Sequence, residues 1–251
     1  MKTEIINGKD VKCTLVCINN NQKLYEEFIY NLKQQENIGF QLITIENMGN
    51  HICGARIAFN EIIDEILGEY VYFIHQDIRF LNKSALVEIY DRTVKLKNLG
   101  VVGVAGCTSN GSVYSTIVHG KQKKRPGKLL NNYIEVQTVD ECLFGIKTEI
   151  LKKNPFSKDI GWHLYAVEQC LKYTQIGLTN YVIKSDIWHL SSGGSLDYTY
   201  FKNLKKLIKK YPMLSYINTT VYKCPTKGIK SFILINYFLC KLYLRKMVKG
   251  K

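Results

Sequence analysis

The sequence lacks the features that mark membrane-spanning, secreted or low-complexity chains. No stretch of its 251 residues reaches the roughly 18 to 20 apolar residues of a membrane-spanning helix, and we expect no secretory signal in its first twelve residues, MKTEIINGKDVK. Four prolines and 18 glycines exclude collagen-like and Pro/Gly-rich character. A hydrophobic content of 46% argues against disorder, so we expect one sizeable folded core.

Paired cysteines are also missing. The eight cysteines include no Cys-x-x-Cys pair, which a structural metal site would favour, and the chain is longer than the small secreted proteins that disulfides hold together. We therefore expect reduced, mostly buried thiols in a cytoplasmic protein.

Acidic residues are absent from the last 51 positions. Residues 201–251 contain twelve lysines and one arginine, whereas residues 1–200 hold 22 basic and 21 acidic residues, within a net charge of +14. This asymmetry predicts a body, 1–200, and a basic helical extension, 201–251, with an anionic partner such as lipid headgroups, nucleic acid or polyphosphate. Nucleic acid is disfavoured because no helix-turn-helix, RNP or zinc signature accompanies the charge.

Apolar patterning predicts alternating strands and helices. Helical spacing is seen at 24–34, 52–67 (ending at Gly68) and 86–99, between four short apolar runs. The predicted strands are Cys13–Ile18, Phe40–Ile45, Tyr70–Ile74 and Val101–Ala105. This order favours an α/β fold with a mostly parallel, Rossmann-like sheet covered by helices on both faces.

Polar side chains follow the first three predicted strands. Asn19 follows the first strand, Glu46 and Asn47 follow the second, and Asp77 follows the third. Ligands of open α/β sheets bind beyond the carboxyl ends of the strands, so we expect a binding site there.

The pattern changes after residue 107. Residues 108–132 are rich in Gly, Ser and Lys, include KQKKRPGK at 121–128, and predict a loop or β-excursion. A strand over Cys142–Ile146, a helix over 162–174 and a short strand over 181–184 follow, and no repeat of solenoid period is visible.

Three segments, in order, resemble family 2-like glycosyltransferases of the GT-A fold, which use nucleotide sugars. They are GARIAFNEIIDEILGEYVYFIHQDIRFL (54–81), VDECLFGIKTEIL (139–151) and GWHLYAVEQCLKYTQIGLTNYVIKSDIWHLSSGGS (161–195). The resemblance spans about residues 11–200. It implies a GT-A catalytic domain over 1–200 that moves a sugar from a nucleoside-diphosphate sugar of UDP or GDP type.

The resemblance also implies a divalent metal, Mn or Mg, that offsets the charge of the diphosphate. Asp77 occupies the position of a metal-binding aspartate, and His189 that of a histidine that often completes the site. His75 stands where the family more often has a first aspartate, which leaves one carboxylate instead of two.

A general base is needed to deprotonate the acceptor hydroxyl in a single displacement. The resemblance favours Glu168 for this role, because the family's other acidic position there is Ala166 in this chain. Asp140 and Glu141 are the alternatives, and either one could bind the donor sugar instead.

The nucleotide pocket is predicted to use hydrogen-bonding groups past the first strands. Its candidate residues are Asn19, Glu46, Asn47, Arg56, Asn60 and Asp77. Arg56 is a candidate for a phosphate contact, and turn or surface roles remain open for these residues.

Residues 196–211 and 231–248 predict amphipathic helices in the basic extension. One interpretation is docking on an anionic membrane surface with aromatic side chains at headgroup depth; the other is packing on the body or on a second subunit.

Together these features predict an inverting, metal-assisted glycosyltransferase with a glycan or lipid-linked acceptor, in surface polysaccharide synthesis, cytoplasmic or peripheral at the inner face of the plasma membrane. One alternative is a catalytically degenerate GT-A-like scaffold that binds nucleotide sugar or membrane. Another is a sugar nucleotidyltransferase, although the sequence NNNQKLYEEF after the first strand lacks a Gly-rich triphosphate loop. Donor sugar, acceptor, linkage and oligomeric state stay open.

Overall fold

An eight-stranded sheet organises the computed structural model, which describes residues 1–191 and 198–249. The Ser-Gly-rich end of the third matched segment, 192–195, and the last two residues of the extension lie outside the described residues. The strands, in chain order, are β1 (Lys2–Ile6), β2 (Val11–Asn19), β3 (Gly39–Glu46), β4 (Tyr70–Ile74), β5 (Ile78–Phe80), β6 (Leu99–Gly103), β7 (Ala105–Cys107), β8 (Val113–Ser115), β9 (Val118–His119), β10 (Tyr133–Val136), β11 (Thr138–Val139), β12 (Leu143–Lys147), β13 (Thr179–Ile183), β14 (Ile187–His189), β15 (Tyr216–Asn218) and β16 (Lys223–Pro225).

The large sheet has the strand order β1-β3-β2-β4-β12-β6-β13-β10. Strands β3, β2, β4, β6 and β13 run in one direction, while β1, β12 and β10 run in the other. A second, three-stranded sheet, β5-β14-β9, lies beyond the end of β4. The predicted α/β class is confirmed, with a sheet that is more mixed than the apolar runs alone indicate.

Helices cover both faces of the large sheet, as expected. They are α1 (Gln22–Leu32), α2 (Ala55–Glu61), α3 (Ala85–Thr93), α4 (Thr148–Lys153), α5 (Tyr165–Gln175), α6 (Tyr198–Lys210) and α7 (Gly228–Lys249). Side chains of β2 alternate between two cores: Leu15 packs in the core that holds α1 and α3, and Val16 in the core that holds α2 and α5.

A third core joins the basic extension to the body. Leu171 of α5 is buried with Leu204 of α6, Ile217 of β15 and Ile235 of α7. The outer face of α5 is thus covered by the segment that was predicted to be a separate extension from residue 201. The domain division itself stays a prediction. None of the described helices is long and apolar enough to cross a membrane.

All eight cysteines are free, and six of them are buried, as predicted from their spacing. Cys53 and Cys240 are exposed. Burial raises the pKa of the Cys170 thiol to about 12, so this side chain is protonated and behaves as a small apolar group.

The helix predicted over 52–67 is shorter in the structure. Helix α2 ends at Glu61, a 3-10 turn covers Ile63–Glu65, and the chain is extended at Ile66. Gly68, predicted to stop the helix, instead lies against β2. Its N–H donates to the Thr14 hydroxyl at 3.0 Å, and its carbonyl accepts from Thr148 at 2.6 Å. The close approach of two backbones therefore explains this glycine better than a helix end does.

Replacing Gly68 with alanine should lower the free energy of unfolding by about 3 kcal/mol, because the added Cβ would lie 2.5 Å from the Thr14 backbone nitrogen. Denaturant unfolding measures this change. Gly49→Ala is the control, because its nearest new contact is the His51 ring nitrogen at 3.7 Å, and it should change stability by less than about 0.5 kcal/mol. Equal effects of the two substitutions would contradict the close-packing explanation.

Candidate functional site

The candidate site lies at the carboxyl ends of β2, β3 and β4. These strands are parallel neighbours in the order β3-β2-β4, so their ends meet at one edge. A cavity of about 390 Å³ opens there, lined among others by Asn20, His75, Gln76, Asp77, Glu141 and Tyr165. The position predicted from the polar strand ends therefore coincides with a cavity.

Asp77 lies beside His189 because β14 pairs antiparallel with β5. His189 is the partner of Ile78 in that register, and the Leu190 N–H donates to the Asp77 carbonyl at 3.0 Å. The Asp77 carboxylate lies 3.3 Å from His189 Nε2. Burial alone would raise the pKa of Asp77, but the His189 hydrogen bond and the neighbouring imidazoles lower it overall, so the carboxylate is ionised at neutral pH.

A third group, His75, completes a cluster around Asp77. Its Nδ1 lies 4.0 Å from the carboxylate, and one potential ligand atom from each of His75, Asp77 and His189 falls within 4.8 Å of the others. The Nδ1 atom of His189 is buried with no hydrogen-bond partner in the described part of the chain. One carboxylate and two imidazoles form a donor set that suits a transition-metal dication.

His119 also lies near this cluster, which the sequence did not indicate. Strand β9 pairs parallel with β14 and sets His119 beside His189, with ring centroids 5.3 Å apart. Burial, followed by the charge of His189, lowers the pKa of His119, which favours its neutral form. No motif marks His119, and only the strand pairing reveals it.

Asp140 and Glu141 are consecutive residues that line different cavities. Glu141 lines the 390 Å³ cavity, and Asp140 lines a larger one of about 1090 Å³. The Thr220 hydroxyl donates to Asp140 at 2.8 Å and the Cys142 N–H at 3.1 Å. Burial opposes ionisation of Asp140, yet these two donors and His189 lower its pKa overall, so Asp140 is a carboxylate at neutral pH.

Glu141, unlike Asp140, is in the protonated state at neutral pH. Burial, followed by the charge of Asp140, raises the pKa of Glu141 to about 8. Its carboxyl group accepts the Tyr165 N–H at 2.6 Å, at the start of α5. At neutral pH Glu141 is mostly protonated, so it is able to donate a hydrogen bond to a ligand in the smaller cavity.

Glu168, predicted as the base, lies in a buried ion-pair network. One of its oxygens accepts from Arg56 Nε at 2.8 Å and from Ser157 at 2.9 Å, and the other accepts from Lys210 at 2.5 Å. Glu168 and Arg56 are each 2% exposed. Arg56 donates further to the His163 carbonyl at 3.2 Å. Both groups are thus engaged by internal partners, and neither lines the 390 Å³ cavity or the 1090 Å³ cavity.

The remaining predicted pocket residues form local hydrogen bonds. Asn19 donates to Glu46 at 3.0 Å, which links the ends of β2 and β3. The side chain of Asn47 accepts the Ile52 N–H at 3.0 Å. The side-chain amide of Asn60 donates to the Phe156 carbonyl and accepts the Phe156 N–H. Asn19 and Glu46 therefore stay at the strand ends, whereas Asn47 and Asn60 fix loops.

Two further residues contribute to the cavity without having been predicted. The Gln76 side chain accepts backbone N–H groups of Asn20 and Asn21, each at 3.3 Å, and so ties the β2 and β4 ends together. The Tyr165 hydroxyl lies 3.2 Å from His75 Nε2. Tyr165 belongs to the GWHLY part of the third segment that resembles the family, so its place in that segment could have indicated a role in the site.

The protein-family model described as "Glycosyltransferase like family" matches residues 13–211. No curated protein sequence matches the chain. Among solved structures, the mannosyltransferase PcManGT from Pyrobaculum calidifontis, in complex with GDP-Man and Mn²⁺, is 12% identical with a TM-score of 0.52, over 82% of this chain and 67% of that one.

A second similar structure is S. aureus TarS 1-349 in complex with UDP-GlcNAc. It is 12% identical, with a TM-score of 0.58, and the match covers 80% of this chain and 66% of that one. At this identity the similarity establishes the GT-A fold, as predicted. The chain spans about two thirds of the length of each of these proteins.

Proposed function

This chain belongs to the glycosyltransferase-like family, and we propose that it transfers a sugar, with inversion, from a UDP- or GDP-linked donor to a hydroxyl of a glycan or lipid-linked acceptor in surface polysaccharide synthesis. The observation that carries the proposal is the cluster of Asp77, His75 and His189 on the edge of a cavity at the strand ends. Both nucleotide types remain candidates, since two proteins of the same fold, TarS and PcManGT, are in complex with UDP-GlcNAc and GDP-Man, respectively.

We propose that the donor occupies the 390 Å³ cavity. Asn20 and Gln76 line this cavity just past β2 and β4 and offer hydrogen-bonding groups for base and ribose, whereas Asn19 and Glu46, linked to each other at the strand ends, are not among its lining residues. The protonated carboxyl group of Glu141 is suited to a hydroxyl of the donor sugar. The diphosphate would then lie by Asp77.

The histidine-carboxylate cluster fits a divalent metal by the chemistry and spacing of its donors. Asp77, His75 and His189 would hold it, and imidazole ligands favour Mn²⁺ over Mg²⁺. Bound there, the metal would neutralise charge on the diphosphate leaving group. Asp77 supplies the anionic ligand that the cluster needs, because it is ionised at neutral pH.

We propose Asp140 as the general base in place of Glu168. Asp140 is ionised, oriented by Thr220 and Cys142, and lies on the wall of the larger cavity, where an acceptor would enter. Both oxygens of Glu168 are already engaged by Arg56 and Lys210. Glu168 then has a positioning role, in that it holds α2 against α5.

Metal-dependent nucleotide binding tests the proposed function. Wild-type protein should bind UDP or GDP more tightly with Mn²⁺ than without it, and Asp77→Asn should lose more than about 10-fold of the Mn²⁺-dependent affinity, measured by isothermal titration calorimetry. Asp64→Asn, an exposed aspartate on the 3-10 turn, is the control and should bind normally. Wild-type protein that binds neither nucleotide would refute the enzyme and scaffold proposals alike; binding without turnover of any donor would favour the scaffold.

Turnover separates the two candidate bases. Asp140→Asn should lower kcat by about 100-fold or more with donor affinity retained, as expected for a lost general base. Glu168→Gln should instead act on stability and lower the free energy of unfolding by about 3 kcal/mol, because it weakens a buried ion pair. The assay is release of UDP or GDP from the donor that gives the largest thermal shift. Near-normal turnover of Asp140→Asn would exclude it as the base.

We further propose that the basic extension docks on an anionic membrane at the inner face of the plasma membrane. Helix α7 exposes Ile229, Ile233 and Tyr237 at four-residue spacing, at 75%, 59% and 56% exposure. Lys241 lies over the Tyr237 ring at 5.6 Å, and residues 201–251 contain no acidic residue. An apolar stripe flanked by cations is complementary to anionic headgroups above acyl chains.

Ile233→Asp should weaken sedimentation with vesicles containing phosphatidylglycerol by about 10-fold, because it places a carboxylate in the apolar stripe. Vesicles of phosphatidylcholine alone should bind weakly in every case. Ile176→Asp is the control, since Ile176 is 53% exposed at the C-cap of α5 and does not belong to the α7 stripe. Equal binding to both vesicle types, or dimerisation that Ile233→Asp abolishes, would show that the stripe has another partner.

A further inference from the structure

The larger cavity has a cationic rim that the proposed donor chemistry does not use. It has a volume of about 1090 Å³, which exceeds the needs of one sugar ring. Asp140 and Thr220 line it together with Lys121 and Lys124 of the KQKKRPGK segment. The consecutive residues Asp140 and Glu141 line the larger and the smaller cavity, respectively.

The backbone around these lysines is anchored to the histidine cluster. The Gly120 N–H donates to the His189 carbonyl at 2.9 Å, and the Trp188 indole donates to the Gly120 carbonyl at 2.9 Å. His119 and Lys124 exchange two backbone hydrogen bonds, of 2.7 and 3.0 Å. The cationic segment is therefore held in a defined place beside the site.

The segment is also anchored at its far end. The Lys128 N–H donates to the Val113 carbonyl at 3.0 Å, and the Ser115 N–H donates to the Lys128 carbonyl at 3.1 Å. Both bonds connect it to β8, which forms part of the cavity wall. The geometry of the rim thus follows from strand pairing at each end.

The charges of this segment are not balanced by neighbouring acids. Residues 121–128 contain five basic and no acidic residues, all exposed. Among the described residues, none of the carboxylates forms an ion pair with these five side chains; Lys123 lies over the Trp188 ring at 4.9 Å instead. Asp140 lines the same cavity, so the cavity lining combines one carboxylate with a cationic rim.

From this combination, in a single cavity, of one carboxylate and lysines that form no ion pair within the described part of the chain, we propose that the acceptor carries a phosphoryl group near its reacting hydroxyl. The hydroxyl faces Asp140, while Lys121 and Lys124 bind the phosphoryl oxygens by charge-assisted hydrogen bonds. The inference rests on the proposed function, because it assigns the acceptor side of the same site. A terminal phosphate ester and an internal phosphodiester both meet this chemistry.

Binding of small phosphorylated probes tests this assignment. Full-length protein with UDP or GDP and Mn²⁺ present is titrated, by ligand-observed NMR, with glucose 1-phosphate, glycerophosphoglycerol and methyl glucoside. At least one phosphorylated probe should bind about 10-fold or more tightly than neutral methyl glucoside, because each charge-assisted bond contributes about that factor. The tighter of the two phosphorylated probes identifies a monoester or a diester.

The variant Lys121→Gln/Lys124→Gln should remove that preference for the phosphorylated probe, with methyl glucoside binding unchanged. Its control is Lys152→Gln/Lys153→Gln, two exposed lysines of α4, which should retain the preference. Unchanged phosphate binding in the Lys121/Lys124 variant, or equal binding of neutral and phosphorylated probes by wild-type protein, would overturn the proposal.

Nucleotide affinity in the same variant distinguishes this proposal from the proposed function. UDP or GDP with Mn²⁺ should bind the Lys121/Lys124 variant as tightly as the wild type. Loss of nucleotide affinity there would mean that these lysines serve the donor, which overturns the acceptor assignment. Wild-type protein that binds no nucleotide would instead refute the glycosyl-transfer proposal on which this one rests.

Discussion

The antiparallel pairing of β14 with β5 is the constraint on which the candidate site depends. These strands belong to a small sheet outside the main one, and their register sets His189 beside Ile78, next to Asp77. The third strand of that sheet, β9, adds His119. Asp77 and His189, which are 112 positions apart in the chain, are thereby brought together by backbone hydrogen bonds. His189 lies in β14, whereas His75 and Asp77 lie in the short turn between β4 and β5.

The second organising feature is a pair of adjacent acids in opposite protonation states. Asp140 has two hydrogen-bond donors and a nearby imidazole, all of which favour its anion. Burial and the neighbouring anion of Asp140 both favour the protonated form of Glu141, so its proton is retained at neutral pH. Two similar side chains therefore offer an acceptor group to one cavity and a donor group to the other.

Much of the fold followed from local sequence patterns. The apolar runs at Cys13–Ile18, Phe40–Ile45 and Tyr70–Ile74 predicted β2, β3 and β4, because buried parallel strands are apolar on both faces. The position of Asp77 followed from the same pattern. The edge strand β1 was not predicted, because KTEII has few apolar residues. This segment forms a strand through its antiparallel pairing with β3.

What local sequence patterns did not indicate are contacts between distant segments. Gly68 was interpreted as a helix end, whereas a crossing backbone requires it. Glu168 has the spacing of an exposed helical acid, and nothing within α5 indicates that Arg56, 112 residues earlier, will pair with it. His119 lies in a Gly-, Ser- and Lys-rich stretch with no motif. It lies beside His189 only because β9 pairs with β14. Local propensity predicts helices and strands well. It does not predict which distant residues will contact each other, and there only a family pattern helps.

The ion-pair network of Arg56, Glu168 and Lys210 has a consequence for the modularity of the chain. One carboxylate connects α2, which begins at the donor cavity, with α5 and with the last turn of α6. A C-terminal segment transplanted from a relative would leave Glu168 short of a cation unless it brought a lysine to the same place. Exchange of tails between such proteins is therefore restricted to boundaries beyond Lys210, and chimaeras joined earlier need both partners of the network to be transferred together.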